Sequence, residues 1–360
     1  MTLREFFKDS ATRLPIEQGG GIAFRETLFG RLDHYAAHIK TIDIPALGIT
    51  FPEKEIDQAQ KLVTTIKASI DHYLKGHPFY AYEELKNALN SSSIFSSLKG
   101  VSYPKDSRFF RLREHHSNFA LSRGELFHIP FQLRGLVATQ RYSIPGFPCL
   151  YLSDSVYVAW EELRRPSLNN IQAIMLVNEK EISYLDLSTD IYLGHQELID
   201  SKTDDELWNY MLVWPIVAAC SVKVGDRVAP FKAEYIIPQL LLQMVRKEGS
   251  LDAIRFSSTH VKRNQHLKGT FHNLAIPVQD DCDNGYCKEM KKMFRMTEPV
   301  SWEIADTFSK SSQVYLHNQS EEIEMAVEQI MLYEGKPIRY NKSTFGNLEA
   351  ALRMMPLGIL

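Results

Sequence analysis

Apolar residues recur with a helical period through much of the first hundred positions and in shorter, strand-like runs after them. Over residues 52–75 the positions Ile56, Ala59, Leu62, Val63, Ile66, Ile70, Tyr73 and Leu74 fall on one helical face. Pro52 suits the first turn of that helix and Gly76 its end. A second helix is predicted over 80–89, running into the polar stretch NSSS at 90–93. That stretch sets the expected division: a mostly helical region over 1–100 and a second domain over 101–360 with a C-terminal extension.

From Val101 the texture changes to short apolar runs punctuated by Pro and Gly. FPCLYLS, QAIMLVN, SYLDLS, DAIRFSS and NLAIPV read as strands. Helices are predicted over 155–164, 204–222 and 238–247, with Pro238 at a helix start. A late helix is predicted over 321–334, with Ser320 as its cap and Gly335 after it. Strands and helices do not alternate regularly, so the fold class is α+β. No G-x-G-x-x-G follows a strand, which removes the Rossmann fingerprint, and no internal repeat is visible.

Composition narrows the function classes. The chain has 360 residues, 44% hydrophobic and 24% charged, with a net charge of −3, an ordinary globular balance that gives no reason to expect direct nucleic-acid binding. The longest apolar run, 211–222, holds Pro215 and is shorter than the roughly 20 residues of a membrane span; it reads as a buried helix or helix pair. Charges interrupt every apolar stretch of the first twenty-one residues, so no secretory signal is expected and a cytoplasmic location is. Cys149, Cys220, Cys282 and Cys287 do not make a disulfide framework in a chain of this length. Cys282 and Cys287 would need His260, His266 or His272 to form a metal site; they read instead as reduced thiols around an Asp-Asn-Gly turn, and no metal is expected.

The densest chemistry lies over 109–166. Arg111, Arg113 and Arg141 come close to a strand that ends in Tyr151, Ser153 and Ser155, and the helix that follows presents Glu161 and Glu162. Arginines suit a diphosphate because the planar guanidinium donates paired hydrogen bonds and stays charged. A nearby glutamate can stabilise a developing positive charge or orient a hydroxyl. On spacing alone, arginine and glutamate ten to twenty residues apart read more readily as solvated charges or a structural ion pair than as a site. His115 and His116 precede Ser-Asn in what reads as an exposed turn, and no catalytic base is assigned to them or to His128. YNKSTFGNLEAAL lacks the G-K-[ST] of a phosphate loop and reads as a terminal helix capped by Ser343 or Thr344.

The segment RYSIPGFPCLYLSDSVYVAWEEL resembles the RES domain, a family named for its Arg, Glu and Ser positions. Arg141-Tyr142, Gly146-Phe147-Pro148, Leu150-Tyr151, Ser153-Asp154-Ser155 and Glu162 fill the family's places in order. Arg111 in FFRLR matches an early strand arginine, and Ser258 in DAIRFSS the closing serine, so the resemblance covers about 107–278. It implies an ADP-ribosyltransferase-like split mixed β-sheet whose cleft binds NAD⁺ as substrate, with no separate cofactor. It also implies cleavage of the nicotinamide–ribose bond, with ADP-ribose passed to water or phosphate, in proteins that are often toxins restrained by an antitoxin. Glu162 and Arg141 are then catalytic, and Arg111, Tyr151 and Ser258 bind substrate.

Gln140 stands where compact members have Gly, and the interval from Glu162 to Ser258 implies an insertion around 179–225. Glu161 against Glu162, and Arg113 against Arg111, stay open. Two other functions fit: ADP-ribosylation of a macromolecule, and a non-catalytic module that senses a nucleotide or holds a partner. The region 1–100 then serves as a partner surface, a homo-oligomer element or a helical cap.

Overall fold

The computed structural model describes residues 2–18, 23–42, 53–91, 94–116, 119–261, 267–311, 325–333 and 335–360. The fold is mixed α+β. Its residues gather into two compact units. The first comprises Met1–Gly100, Thr139–Ile144 and Leu185–Ser250; the second comprises Val101–Ala138, Pro145–Tyr184 and Leu251–Leu360. The region 1–100 therefore shares its core with two later stretches, including most of the segment expected to be an insertion.

The first unit is built around the helix Asp204–Ser221, which begins in a capping box between Thr203 and Glu206 and is buried continuously from Met211 to Ser221. A helix apolar on every side has to lie in the interior, and this one runs unbroken through Pro215. Proline has no N–H to give the carbonyl one turn back. The Tyr35 hydroxyl donates to that carbonyl, Met211 O, at 3.0 Å, while the Tyr35 ring stacks on Trp214 with centroids 5.1 Å apart. The helices Leu3–Lys8, Phe24–Ile39, Glu53–Leu74, Pro78–Asn90 and Ile236–Glu248 belong to the same unit.

The strands are β1 (Arg108–Glu114), β2 (Cys149–Ser153), β3 (Ile171–Asn178), β4 (Tyr184–Leu187), β5 (Ala253–Ser257), β6 (Lys268–Gly269), β7 (His272–Pro277), β8 (Phe294–Met296), β9 (Val300–Ser301), β10 (Val327–Tyr333) and β11 (Lys336–Arg339). A mixed eight-stranded sheet has the order β4-β5-β7-β2-β1-β3-β8, with β9 also on β3, and a three-stranded sheet has the order β11-β10-β6. The unit boundary falls within β4. β3 is buried at all eight positions, as a strand covered on both faces must be. One face carries Phe109, Leu150, Leu152, Ile174 and Ile276, and the other Phe110, Ala173, Met175, Tyr157 and Phe345.

The centre of the sheet is weakly joined. β1 pairs with β3 along all seven of its residues, and β2 with β7 along all five of its own. Between β1 and β2 a single partner pair, Phe110↔Ser153, is formed. Two well-hydrogen-bonded halves thus meet at one rung.

The late helix expected over 321–334 is corrected. Residues Val327–Tyr333 form β10, which turns through Gly335 (φ +72°) into β11. A glycine after a short apolar run ends a helix or turns a hairpin with equal ease, and the partner strand KPIR decides. Ser320 lies outside the described residues. The terminal helix Thr344–Arg353 is capped by Ser343, whose Oγ accepts from Gly346 N at 3.1 Å.

His128 is fully committed in the core of the second unit. Cys287 N–H donates to its Nε2 at 2.9 Å, so Nδ1 carries the proton that reaches Ile129 O at 2.8 Å. Burial depresses its pKa from 6.5 to about 4. The unfolded chain therefore takes up a proton below 6.5 that the folded chain refuses until about 4. Its contribution is complete above the unfolded pKa and is lost as pH falls, to a maximum of roughly 3 kcal/mol. Thermal midpoints measured from pH 7.5 down to 4.5 are expected to fall across this window, and His128→Gln is expected to flatten that slope. An unchanged slope in the variant would show that other groups cause it.

Candidate active site

The helix Val156–Glu162 starts on Ser155, which caps it by accepting from Val158 N at 3.2 Å. It ends on two glutamates about 100° apart around the axis, so they serve different neighbours. Glu161 turns inward and receives Arg165 in a two-pronged ion pair, Nε to Oε2 and Nη2 to Oε1, both at 2.9 Å. Arg164 and Arg165 adopt left-handed backbone, φ +65° and +59°, which folds the chain back so that Arg165 reaches Glu161. That conformation costs a non-glycine residue free energy, here offset by the ion pair. Trp160 Nε1 closes the same turn on Pro166 O at 2.9 Å.

Glu162 faces the other way. Its Oε1 accepts from Ser258 Oγ at 2.6 Å and from Asn273 Nδ2 at 2.9 Å. Its Oε2 makes no hydrogen bond among the described residues and lies 3.9 Å from His260 Nε2. Ser258, just after β5, also accepts from the backbone amides of His260 at 3.2 Å and Val261 at 3.3 Å. One hydroxyl therefore fixes the glutamate and the following turn together. Asn273 lies opposite Ser153 in the β2–β7 register. Ser153 Oγ donates to Asn273 Oδ1 at 2.6 Å, which fixes the amide so that Nδ2 points at Glu162.

Along β2, Cys149, Tyr151 and Ser153 alternate onto one face. A rise of roughly 3.4 Å per residue puts Tyr151 and Ser153 about 7 Å apart there. At one end Ser153 leads through Asn273 to Glu162. At the other, Arg111 Nη1 donates to Tyr151 O at 2.8 Å, with the side chains of Cys149 and Tyr151 within electrostatic range. Burial lowers the Arg111 pKa to about 10 and pushes the Cys149 thiol up. The Nε–H of Arg111 is buried and has no hydrogen-bond acceptor among the described residues. Arg113 is exposed, and its Nη1 is bonded to Glu125 O at 2.8 Å.

Arg141 belongs to the first unit. Its Nη1 and Nη2 donate to Cys220 O at 2.8 Å and Val222 O at 2.9 Å, and its guanidinium lies 5.2 Å from the Tyr235 ring centroid. The fork thus caps the C-terminal end of the buried helix Asp204–Ser221. Glu162 and Ser258 are bonded directly, Arg111 and Tyr151 meet through a backbone carbonyl, and the described contacts of Arg141 are with its own unit.

Cys287 caps the helix Lys288–Met293 and its thiol contacts Asp280. Among the described residues no group of three or more His, Cys, Asp or Glu side chains is arranged to hold a metal ion; His266 lies outside them. No described helix is long and apolar enough to cross a membrane. Sequence reasoning did not single out Ser153 and Asn273 for the site and weighed His260 only as a metal ligand. The strand strings FPCLYLS and NLAIPV contain Ser153 and Asn273, but only the pairing of β2 with β7 brings the two together.

No family model matches the chain, and no solved structure matches it significantly. Among curated proteins, the chain is 32% identical to "Putative toxin YopC" of Bacillus subtilis (strain 168) over 362 residues, covering 94% of this chain and 78% of that protein.

Proposed function

Since the chain belongs to the family of the putative toxin YopC, we propose that it is itself a toxin, and that it acts by cleaving NAD⁺ between nicotinamide and ribose. The observation that carries this reading is the asymmetry of Glu162. Two donors occupy Oε1 and leave Oε2 presented, the arrangement required of a carboxylate that stabilises a cationic sugar. Nicotinamide departs from NAD⁺ as a neutral group, taking the electrons of the C1′–N bond, so no acid is required. The barrier is the oxocarbenium-like ribose it leaves, and a negative charge fixed beside C1′ lowers it.

Arg111 supports the other half of the reading. A buried guanidinium N–H without an acceptor, on a group whose charge is already made costly by burial, is stabilised by an incoming oxyanion such as the diphosphate. Tyr151, whose carbonyl holds Arg111 and which lies two residues before Ser153 on β2, is on this reading the residue beside the nicotinamide ribose. Ser258, expected to bind substrate, donates to Glu162 Oε1 and on this reading orients the carboxylate. A split, mixed sheet of the ADP-ribosyltransferase kind accords with the single rung between β1 and β2. The RES resemblance and an antitoxin partner belong to the same reading.

Incubation of the purified full chain with NAD⁺, with and without phosphate, followed by chromatography, is expected to show nicotinamide released. NAD⁺ intact in both conditions, from protein shown to be folded and free of a bound inhibitor, would overturn the reading. Asn273→Ala is expected to lower kcat about tenfold with little change in KM, because its amide positions Glu162 without touching substrate. A rise in KM at unchanged kcat would instead place Asn273 on the substrate.

A further inference from the structure

Resting on that reading, we propose that His260 is the general base for a protic acceptor, water first among them, held between His260 Nε2 and Glu162 Oε2. The two atoms are 3.9 Å apart, too far for a direct hydrogen bond and close enough for one water to bridge them at ordinary lengths. Both side chains are about one-third exposed, 30% and 31%, so solvent reaches the gap between them. Oε1 of Glu162 is already occupied by Ser258 and Asn273, which leaves Oε2 as the edge that meets a small molecule. The His260 ring makes no hydrogen bond among the described residues, while its backbone N–H is tied to Ser258 Oγ at 3.2 Å. The base is thus fixed at its root by the same hydroxyl that fixes the carboxylate.

The step balances simply. The water oxygen attacks C1′ of the ribose, and the C1′–O bond forms as the C1′–N bond breaks. Nicotinamide leaves with the bonding electrons, and the proton lost by water moves to Nε2 of the neutral imidazole. The imidazolium so formed is steadied by Glu162 and later gives its proton to solvent. Products are ADP-ribose, nicotinamide and one proton.

An anionic nucleophile with no proton to lose does not need this base, and azide supplies the discriminating probe. Full-length wild type, His260→Ala and His260→Gln would be given NAD⁺ with and without sodium azide. ADP-ribose, azido-ADP-ribose and nicotinamide would be separated by chromatography. Both variants are expected to lose about 10²-fold or more in hydrolysis, the usual scale of general-base catalysis. In azide, their nicotinamide release is expected to return to within a few-fold of wild type. That recovery also reports an intact fold and a working Glu162.

Hydrolysis within fivefold of wild type in both variants would overturn the assignment. So would equal loss of the water and azide reactions, which would make His260 a structural support. Wild-type protein that turns over NAD⁺ only with phosphate would remove the base and leave cleavage standing. Wild-type protein that leaves NAD⁺ intact would remove both.

Discussion

Glu162→Gln is expected to reduce NAD⁺ consumption by about 10³-fold or more, equivalent to roughly 4 kcal/mol of transition-state stabilisation, while the thermal midpoint stays within a few degrees. Glutamine has nearly the same shape. Its amide oxygen can take the place of Oε1 and accept from Ser258 Oγ and Asn273 Nδ2, so both donors remain satisfied. What disappears is the negative charge, and with it the interaction that is stronger in the oxocarbenium-like transition state than in the ground state. The neighbouring acid provides the control. Glu161→Gln breaks the two-pronged pair with Arg165 and is expected to cost ~1–3 kcal/mol of stability, Arg165 being partly solvated, with kcat kept within several-fold. Steady-state kinetics and thermal melts on the two variants test the assignment together. Activity falling more in Glu161→Gln than in Glu162→Gln would exchange their roles.

The largest stability effect is expected at Gly346. The helix Thr344–Arg353 packs so closely on the turn Tyr340–Lys342 that a Cβ at Gly346 would press on the Tyr340 carbonyl and lie 2.9 Å from Asn341 Cα. Neither obstacle is a flexible side-chain end. Alanine is the better helix former by about 1 kcal/mol, so helix propensity alone predicts a stabilised Gly346→Ala. The steric argument predicts the opposite sign, a loss of about 3 kcal/mol or more. The helix cannot simply move away. Glu349, fully buried on it, accepts from Tyr340 OH at 2.9 Å and from Arg353 Nη2 at 2.8 Å, and shifting the helix would strand a buried carboxyl group. Denaturant melts decide between the two signs, and a midpoint at or above wild type would refute the close packing.

Much of the fold is legible in the sequence because burial dictates period. FPCLYLS contains β2, which begins one residue after Pro148, a residue with no N–H to give a ladder. QAIMLVN reads as a strand with no polar face, and β3 is covered on both sides. The buried helix around Pro215 is equally plain, although its continuity is not: Tyr35, far away in the chain, supplies the hydrogen bond proline lacks. The hairpin of β10 and β11 is hidden for the same kind of reason, since a run such as VEQIMLY becomes a strand only when a partner is available.

The site divides along similar lines. Glu162 and Ser258 are visible as residue types in order, but which of two adjacent glutamates faces Ser258 depends on Arg165 doubling back onto Glu161. Asn273 depends on strand register. Arg141 lies ten residues before Tyr151 in sequence, yet the short stretch Thr139–Ile144 is grouped with the other unit, and no local pattern announces a detour of six residues.

The two units are interleaved in six alternating stretches, three apiece, and the last stretch of the first unit ends only at Ser250. During translation neither can be finished early. The hydroxyl and amide that hold Glu162 come from residues 258 and 273, about a hundred codons after the acid itself. Every nascent chain shorter than that has the glutamate without its clamp. A shortened chain therefore lacks the residues that orient its acid, and no contiguous stretch of the sequence makes up either unit by itself.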